Sequence, residues 1–275
     1  MTTENTHGWL SLADGVLARR YAELDLTVGL VIGDGECLVV DTRGDAVQGA
    51  ELAAAVRERT PHPWTVALTH AHFDHCFGTS AFGGCAVYAH RRCAADLAET
   101  GEWQRELWVA EYREQGREDV AGHIAEAPIL APTHLVDDHA RLSVGGRTVE
   151  LIHAGRGHTD HDLVVHVPDA RVVFAGDLVE QGAPPAFEDS CPQDWPGTLD
   201  RILALAPETV VPGHGEPVPP GFVAAQRDEI ALLAELGRAV RSGELSLAEA
   251  ARRSPYPEKP TTEAIARLPL LGDLP

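Results

Sequence analysis

One large α/β domain is the fold class this chain predicts, and three observations carry the prediction. Apolar runs of strand length recur along the sequence and end in turns rich in glycine, aspartate or histidine. Longer stretches of helical composition lie between them. The 275 residues are 44% hydrophobic, enough for one substantial core without a second domain.

Taken in order, the first strand pair is expected at Leu24 to Ile32 and Cys37 to Val40, because Asp-Gly in the intervening Gly33-Asp34-Gly35-Glu36 is a strong hairpin signal. Ala46 to Arg59 reads as a helix, Trp64 to Leu68 as a strand, and Ala86 to Ala89 as another. Ala94 to Ala127 is largely helical in composition and too long for a simple connection. Within it, Trp103, Leu107, Trp108 and Tyr112 are spaced to share one stripe. Such a stripe either packs inward or forms a wall over an apolar substrate, with Phe187 and Trp195 as candidates for the opposite wall. Strands resume near Arg141 and run through Phe174. Asp194 to Leu205 is expected as a helix, Thr209 to Pro212 as the strand leading to His214, and Phe222 to Arg241 as a long helix. Shorter helical pieces follow Ser242. A single domain is expected, with its core over about residues 10–222 and a helical extension over about 223–275.

The chemistry is concentrated in His70-Ala71-His72-Phe73-Asp74-His75, directly after the apolar run ending at Leu68. Imidazole nitrogens and carboxylate oxygens are the donors that zinc accepts, and a catalytic zinc keeps one position open. If the segment leaves its strand extended, His70 and His72 project to one side and can reach one ion, while Asp74 and His75 turn toward a second. Further donors stand where strand-like runs meet glycine: His158 in Gly155-Arg156-Gly157-His158, Asp177 after Gly176, and His214 between Gly213 and Gly215.

This order of His-x-His-x-Asp-His, His, Gly-Asp and Gly-His-Gly resembles the metallo-β-lactamase-fold hydrolases, particularly glyoxalase II-like enzymes, over about residues 10–222. The resemblance implies a four-layer αββα sandwich with two zinc ions at one edge; it leaves iron or manganese open. It assigns His70, His72 and His158 to the first ion, Asp74, His75 and His214 to the second, and Asp177 to both. Asp74 and Asp177 would hold the two cations together while a bridging hydroxide attacks a carbonyl. Asp41 is either an outer partner of a ligand histidine, as the family implies, or a cap for the helix beginning at Ala46. Around the third histidine the family commonly reads Pro-Gly-His-Thr-Pro-Gly. Here Arg156 and Asp160-His161 stand instead, so Arg156 is either a cation at the mouth or an ion-pair partner, and His161 either a proton relay or a loop residue.

The implied reaction is hydrolysis of a thioester, or of a lactone or other ester. The Gly176-Asp177 bridge sets the chain apart from β-lactamases, which generally lack it. A β-lactamase, a mononuclear-iron persulfide dioxygenase and a metal-binding protein without turnover are the competing readings. Formal net charge is −20, from 42 acids against 22 bases, unsuited to tracking a phosphate backbone, so a small molecule rather than nucleic acid is the expected partner. A homo-oligomer stays open. Five cysteines without C-x-x-C spacing argue against a disulfide framework, and Cys76 reads as a small packed residue. Met1 to Leu10 has no signal-peptide pattern and no apolar run reaches membrane length, which makes cytoplasmic the expected location.

Overall fold

The structure is a computed structural model and describes residues 8–268. Most of the amino-terminal stretch read for a signal sequence, and the last seven residues, lie outside them.

Two sheets form the centre. The first has seven strands in sequence order: β1 (Trp9–Ala13), β2 (Val16–Arg20), β3 (Thr27–Ile32), β4 (Cys37–Val40), β5 (Trp64–Ala67), β6 (Val87–His90) and β7 (His134–Val136). The second has five, β8 (His139–Val144), β9 (Arg147–Ile152), β10 (Val164–Val167), β11 (Val172–Glu180) and β12 (Thr209–His214), in the order β12-β11-β10-β9-β8. The expected hairpin is present, with Ile32 opposite Cys37. A second hairpin, β1 to β2, was not anticipated although it turns on Asp14-Gly15, the same signal. The first strand of the expected pair is shorter than its apolar run: residues 21–26 form a corner in which Leu24 and Asp25 both have positive φ.

Helices cover both outer faces, and the reason is visible strand by strand. Val39 of β4 packs outward with Leu52 and Val56 of α1 (Ala46–Arg59), whereas its neighbours Leu38 and Val40 face Leu151 and Val165 of the other sheet. In the second sheet Val165 faces inward, while Val164 and Val173 meet Leu199 and Ile202. Successive strand side chains point to opposite faces, so strands buried on both sides read as unbroken apolar runs. The result is the αββα sandwich. The long insertion folds as α3 (Arg91–Glu114) and α4 (Glu118–Glu126), after a short α2 (Phe73–Cys76) and a 3-10 turn at Phe77–Phe82. α5 (Trp195–Ala204) and α6 (Pro220–Arg241) cover the second sheet. Because α6 contributes Val223, Ile230 and Leu233 to that core, it belongs to the sandwich itself; α7 (Leu247–Arg253) and α8 (Glu258–Arg267) follow it.

Local capping settles one alternative. Asp45, not Asp41, caps α1, its carboxylate accepting the backbone N–H groups of Val47 and Gln48 at 2.8 Å each. Asp41 lies at positive φ, so the chain turns sharply out of β4 and the carboxylate is left beneath the 69–75 segment. No helix among the described residues is long and apolar enough to cross a membrane.

Candidate metal centre

The seven donors expected from the sequence converge at one edge of the sandwich. His70, His72, His158 and Asp177 form one group, and Asp74, His75 and His214 a second, each with donor atoms within 4.8 Å of one another. The segment after β5 supplies four of them, His70 and His72 from the loop and Asp74 and His75 from α2. The remaining three come from the loop before β10, from β11 and from the end of β12.

Backbone geometry places Asp177 between the groups. Gly176 has φ +53, and the β11–β12 register slips there, so the strand bulges and re-aims the next side chain. A Cβ at Gly213 would stand 1.8 Å from Asp177 Oδ1, so only glycine lets β12 pass that carboxylate. Asp177 Oδ1 is 3.2 Å from His75 Nε2; Oδ2 is 3.2 Å from His214 Nε2, 3.5 Å from His158 Nε2 and 3.7 Å from His70 Nε2. Asp74 Oδ2 is 3.6 Å from His75 and 3.4 Å from His214.

In four of the five donor histidines an outer partner holds the ring opposite the inward nitrogen; His158 Nδ1 is buried without one. His75 Nδ1 donates to Asp41 Oδ2 at 2.9 Å, and His70 Nδ1 lies 3.0 Å from Thr69 Oγ1, whose hydroxyl donates to the same carboxylate at 2.9 Å. His72 Nε2 meets Asp189 Oδ2 at 3.0 Å, and His214 Nδ1 donates to the Leu24 carbonyl at 2.7 Å. Such partners fix tautomer and orientation, leaving the other nitrogen to face the centre.

Electrostatics within the cluster is strongly perturbed. Burial, with neighbouring imidazoles, pushes His70 well below the usual histidine range. At His75 and His214 burial acts in the same direction but is overridden by Asp177 and Asp74; His75 is held well above the ordinary value and His214 is raised to about 10. Asp177, despite burial, is held well below the carboxylate range by His214, His75, His70 and His158. His70 Nε2 and Asp177 Oδ1 are buried with no hydrogen-bond partner. Buried nitrogen and carboxylate donors that face one another without partners are the set a divalent cation satisfies, displacing protons as it binds.

Sequence reasoning missed several residues. Asp189, Thr69 and the Leu24 carbonyl lie in irregular segments that carry no motif. Gln104 ties α3 to the donor loop, accepting from Phe73 N at 3.0 Å and donating to Ala71 O at 3.2 Å. His161 is buried and accepts the Ala71 N–H at 3.2 Å, so it braces the loop between His70 and His72. Arg156 pairs with Asp194. Cys76 is packed as expected, its thiol donating to His72 O, and all five cysteines are free.

The aromatic walls need correction. Tyr112, Phe187 and Trp195 are core residues: Tyr112 donates its hydroxyl to Glu23 at 2.6 Å, and Trp195 donates Nε1 to Leu178 O at 3.0 Å against Phe187. The stripe on α3 splits because a helix turns about 100° per residue. Gln104, Trp108 and Tyr112 share the inward side, with Trp108 stacked on Phe73 at 4.4 Å, whereas Trp103 and Leu107 are 63% and 45% exposed.

Residues 24–214 match the family model described as the metallo-beta-lactamase superfamily. The chain belongs to that superfamily. The acyl-coenzyme A thioesterase MBLAC2 of Homo sapiens is 27% identical over 231 residues, covering 74% of this chain and 79% of its own. The hydroxyacylglutathione hydrolase of Cereibacter sphaeroides is 29% identical over 188 residues, covering 66% and 58%. Among solved structures, the sec-alkylsulfatase Pisa1 from Pseudomonas sp. superposes with TM-score 0.75 at 17% identity over 97% of this chain, which spans half of that longer sulfatase. The DIM-1 metallo-beta-lactamase gives TM-score 0.63 at 16% identity over 81% of this chain and 95% of its own. These likenesses carry the fold; the family and the donor set make this chain a metallo-hydrolase.

Proposed function

We propose that this superfamily member binds two zinc ions and hydrolyses small thioesters, with lactones and other esters as the adjoining substrate class. The observation that carries this reading is the Asp177 carboxylate lying between the two donor groups, within 3.2 Å of both His75 and His214 and 3.5 Å of His158. Bound there, the ions would supply an acidified water as nucleophile and Lewis-acid polarisation of the carbonyl, so no serine or cysteine nucleophile is required.

The chain's own residues do the positioning. His70, His72 and His158 would hold the first ion, and Asp74, His75 and His214 the second. The carboxylates of Asp74 and Asp177 would offset the repulsion between the cations. Asp41 and Thr69 lock two of the imidazoles from below, and Asp189 and Leu24 O lock two more from the rim. Trp103 and Leu107 offer an apolar face that suits an acyl chain. The names of the two relatives above, both thioester hydrolases, favour thioesters over lactones.

The test is elemental analysis of the purified chain followed by a panel of thioesters, lactones and β-lactams. About two zinc ions per chain with thioester turnover is the expected outcome. One iron per chain without hydrolysis would replace this reading with the mononuclear dioxygenase.

A further inference from the structure

We infer that the site is built for thioesters whose thiol carrier bears little or no negative charge, and that it disfavours carriers decorated with phosphates such as coenzyme A. This rests on the thioester reading above and sets the chain apart from the acyl-coenzyme A thioesterase among its relatives.

The reasoning starts from the cations near the donor loops. A phosphate-bearing carrier needs arginine or lysine within reach of the mouth. Of the arginines close to the donor-bearing segments, three are already engaged by acids, while Arg201 of α5 donates to the Ala154 carbonyl at 2.7 Å. Arg156, two residues before His158, pairs with Asp194. Arg92 pairs with Asp160 at 2.9 Å, and Asp160 also accepts from His161 at 3.0 Å. Arg20 is held by Asp25 and, at 3.0 Å, by Glu216, two residues past His214. On the β11–α5 loop, Glu188 and Asp189 are exposed, and Asp189 is the acid that touches His72. Arg267 of α8 adds one cation beside that loop, donating to the Ser190 carbonyl at 3.4 Å.

Summed around the mouth, Asp25, Asp160, Glu188, Asp189, Asp194 and Glu216 outnumber Arg20, Arg92, Arg156, Arg201 and Arg267. Exposed ion pairs are weak enough to be re-partnered, but re-partnering an arginine onto a phosphate frees an acid beside it, so the local excess of negative charge stays. Two bound divalent ions would be offset in part by Asp74 and Asp177, both of which are buried. The Debye length at physiological salt is about 8 Å, so a phosphate held at the rim feels the rim acids directly. Beyond them the chain as a whole carries formal charge −20. An uncharged carrier meets none of this opposition.

The decisive measurement compares two thioesters of one acyl group, butyryl-N-acetylcysteamine and butyryl-coenzyme A, on the zinc-loaded full chain over a series of ionic strengths. The uncharged thioester should have a kcat/KM at least tenfold higher, and the coenzyme A ester should gain several-fold as salt screens the repulsion. A coenzyme A ester that is turned over equally well or better, or that slows as salt rises, overturns the inference. Charge reversal by Glu188→Lys with Glu216→Lys should raise the coenzyme A-to-uncharged ratio several-fold; an unchanged ratio in a folded, zinc-loaded variant also overturns it. Calorimetry with desulfo-coenzyme A, which has no thiol to ligate zinc, separates the two readings. If neither thioester is hydrolysed, the thioesterase reading fails and the inference falls with it; if the uncharged thioester alone is hydrolysed, micromolar binding of desulfo-coenzyme A overturns the charge inference while the thioesterase reading stands.

Discussion

His75 and His72 leave the same six-residue segment, yet their outer nitrogens are held in opposite ways. His75 is anchored to Asp41, a buried carboxylate that also accepts the Thr69 backbone N–H at 2.8 Å and the Thr69 hydroxyl, and through that hydroxyl steadies His70. His72 is anchored to Asp189, whose side chain is 45% exposed on a surface loop. The floor of the centre is thus part of the core, and its rim is part of the surface. Damage to the floor should cost folding and metal together; damage to the rim should cost metal alone.

The largest effect should come from the residue that floor and rim share. Asp177→Asn should lower zinc content below two per chain and reduce kcat/KM by more than the roughly hundredfold expected for loss of an outer partner, as read by elemental analysis and thioester turnover. Unchanged stoichiometry and rate would remove Asp177 from the bridging position.

Asp41→Asn tests the floor. Asparagine tolerates the positive φ but cannot serve all three donors as an anion does. Unfolding free energy should fall by about 3 kcal/mol, within the range for breaking a buried charged network, and zinc affinity should fall with it. A variant with native thermal stability would show that the Asp41 network is not part of the fold's support.

Asp189→Asn tests the rim. Zinc affinity, measured by competition with a chelator, should drop about tenfold, the low end for an outer partner, while the thermal midpoint stays within the small range typical of surface substitutions. A large loss of stability would erase the distinction between floor and rim. Trp103→Ala should likewise leave stability nearly unchanged and raise KM for long acyl chains over short ones; equal KM values would remove Trp103 from the substrate face.

The smallest effect concerns a histidine outside the centre. Burial and the neighbouring His153 and His161 push His90 down to about 4, and its Nδ1 accepts the Arg92 N–H at the start of α3. The unfolded chain takes up this proton first as pH falls. His90 therefore contributes stability that is complete above about 6.5, its ordinary value, and is lost as pH drops through about 4. His90→Asn, which keeps an acceptor for the cap, should flatten the stability profile across that window and leave the neutral-pH value close to native. An acid limb identical to the parent would show that His90 does not titrate between the two states.

Much of this was legible in the chain itself. The 70–75 motif needs no long-range information, because its donors are adjacent and its strand announces itself by an unbroken apolar run. His158, Asp177 and His214 were legible for a related reason: close approach of backbone to a metal site demands glycine, and Gly157, Gly176, Gly213 and Gly215 mark the places. Most helix and strand positions followed from apolar runs and helical composition, apart from the β1–β2 hairpin, the corner at residues 21–26, the short α2 and the strand β7. The aromatic residues were not legible in this way. Trp195 and Trp103 are equally apolar in sequence, but one is fully buried and the other 63% exposed, and only the packing of neighbouring elements distinguishes them.

By itself, then, the sequence determined the candidate donors, an α/β class and a charge unsuited to a polyanionic partner, because residue type, apolar runs and glycine placement are local properties; the layered arrangement was implied by the family resemblance that those residues carry. The tertiary structure alone decided which partner holds each imidazole, which aromatic residues belong to the core, and which arginines near the mouth are already neutralised. Those facts depend on contacts such as His72 with Asp189, 117 residues apart, and His214 with Leu24, 190 residues apart, for which no local pattern exists.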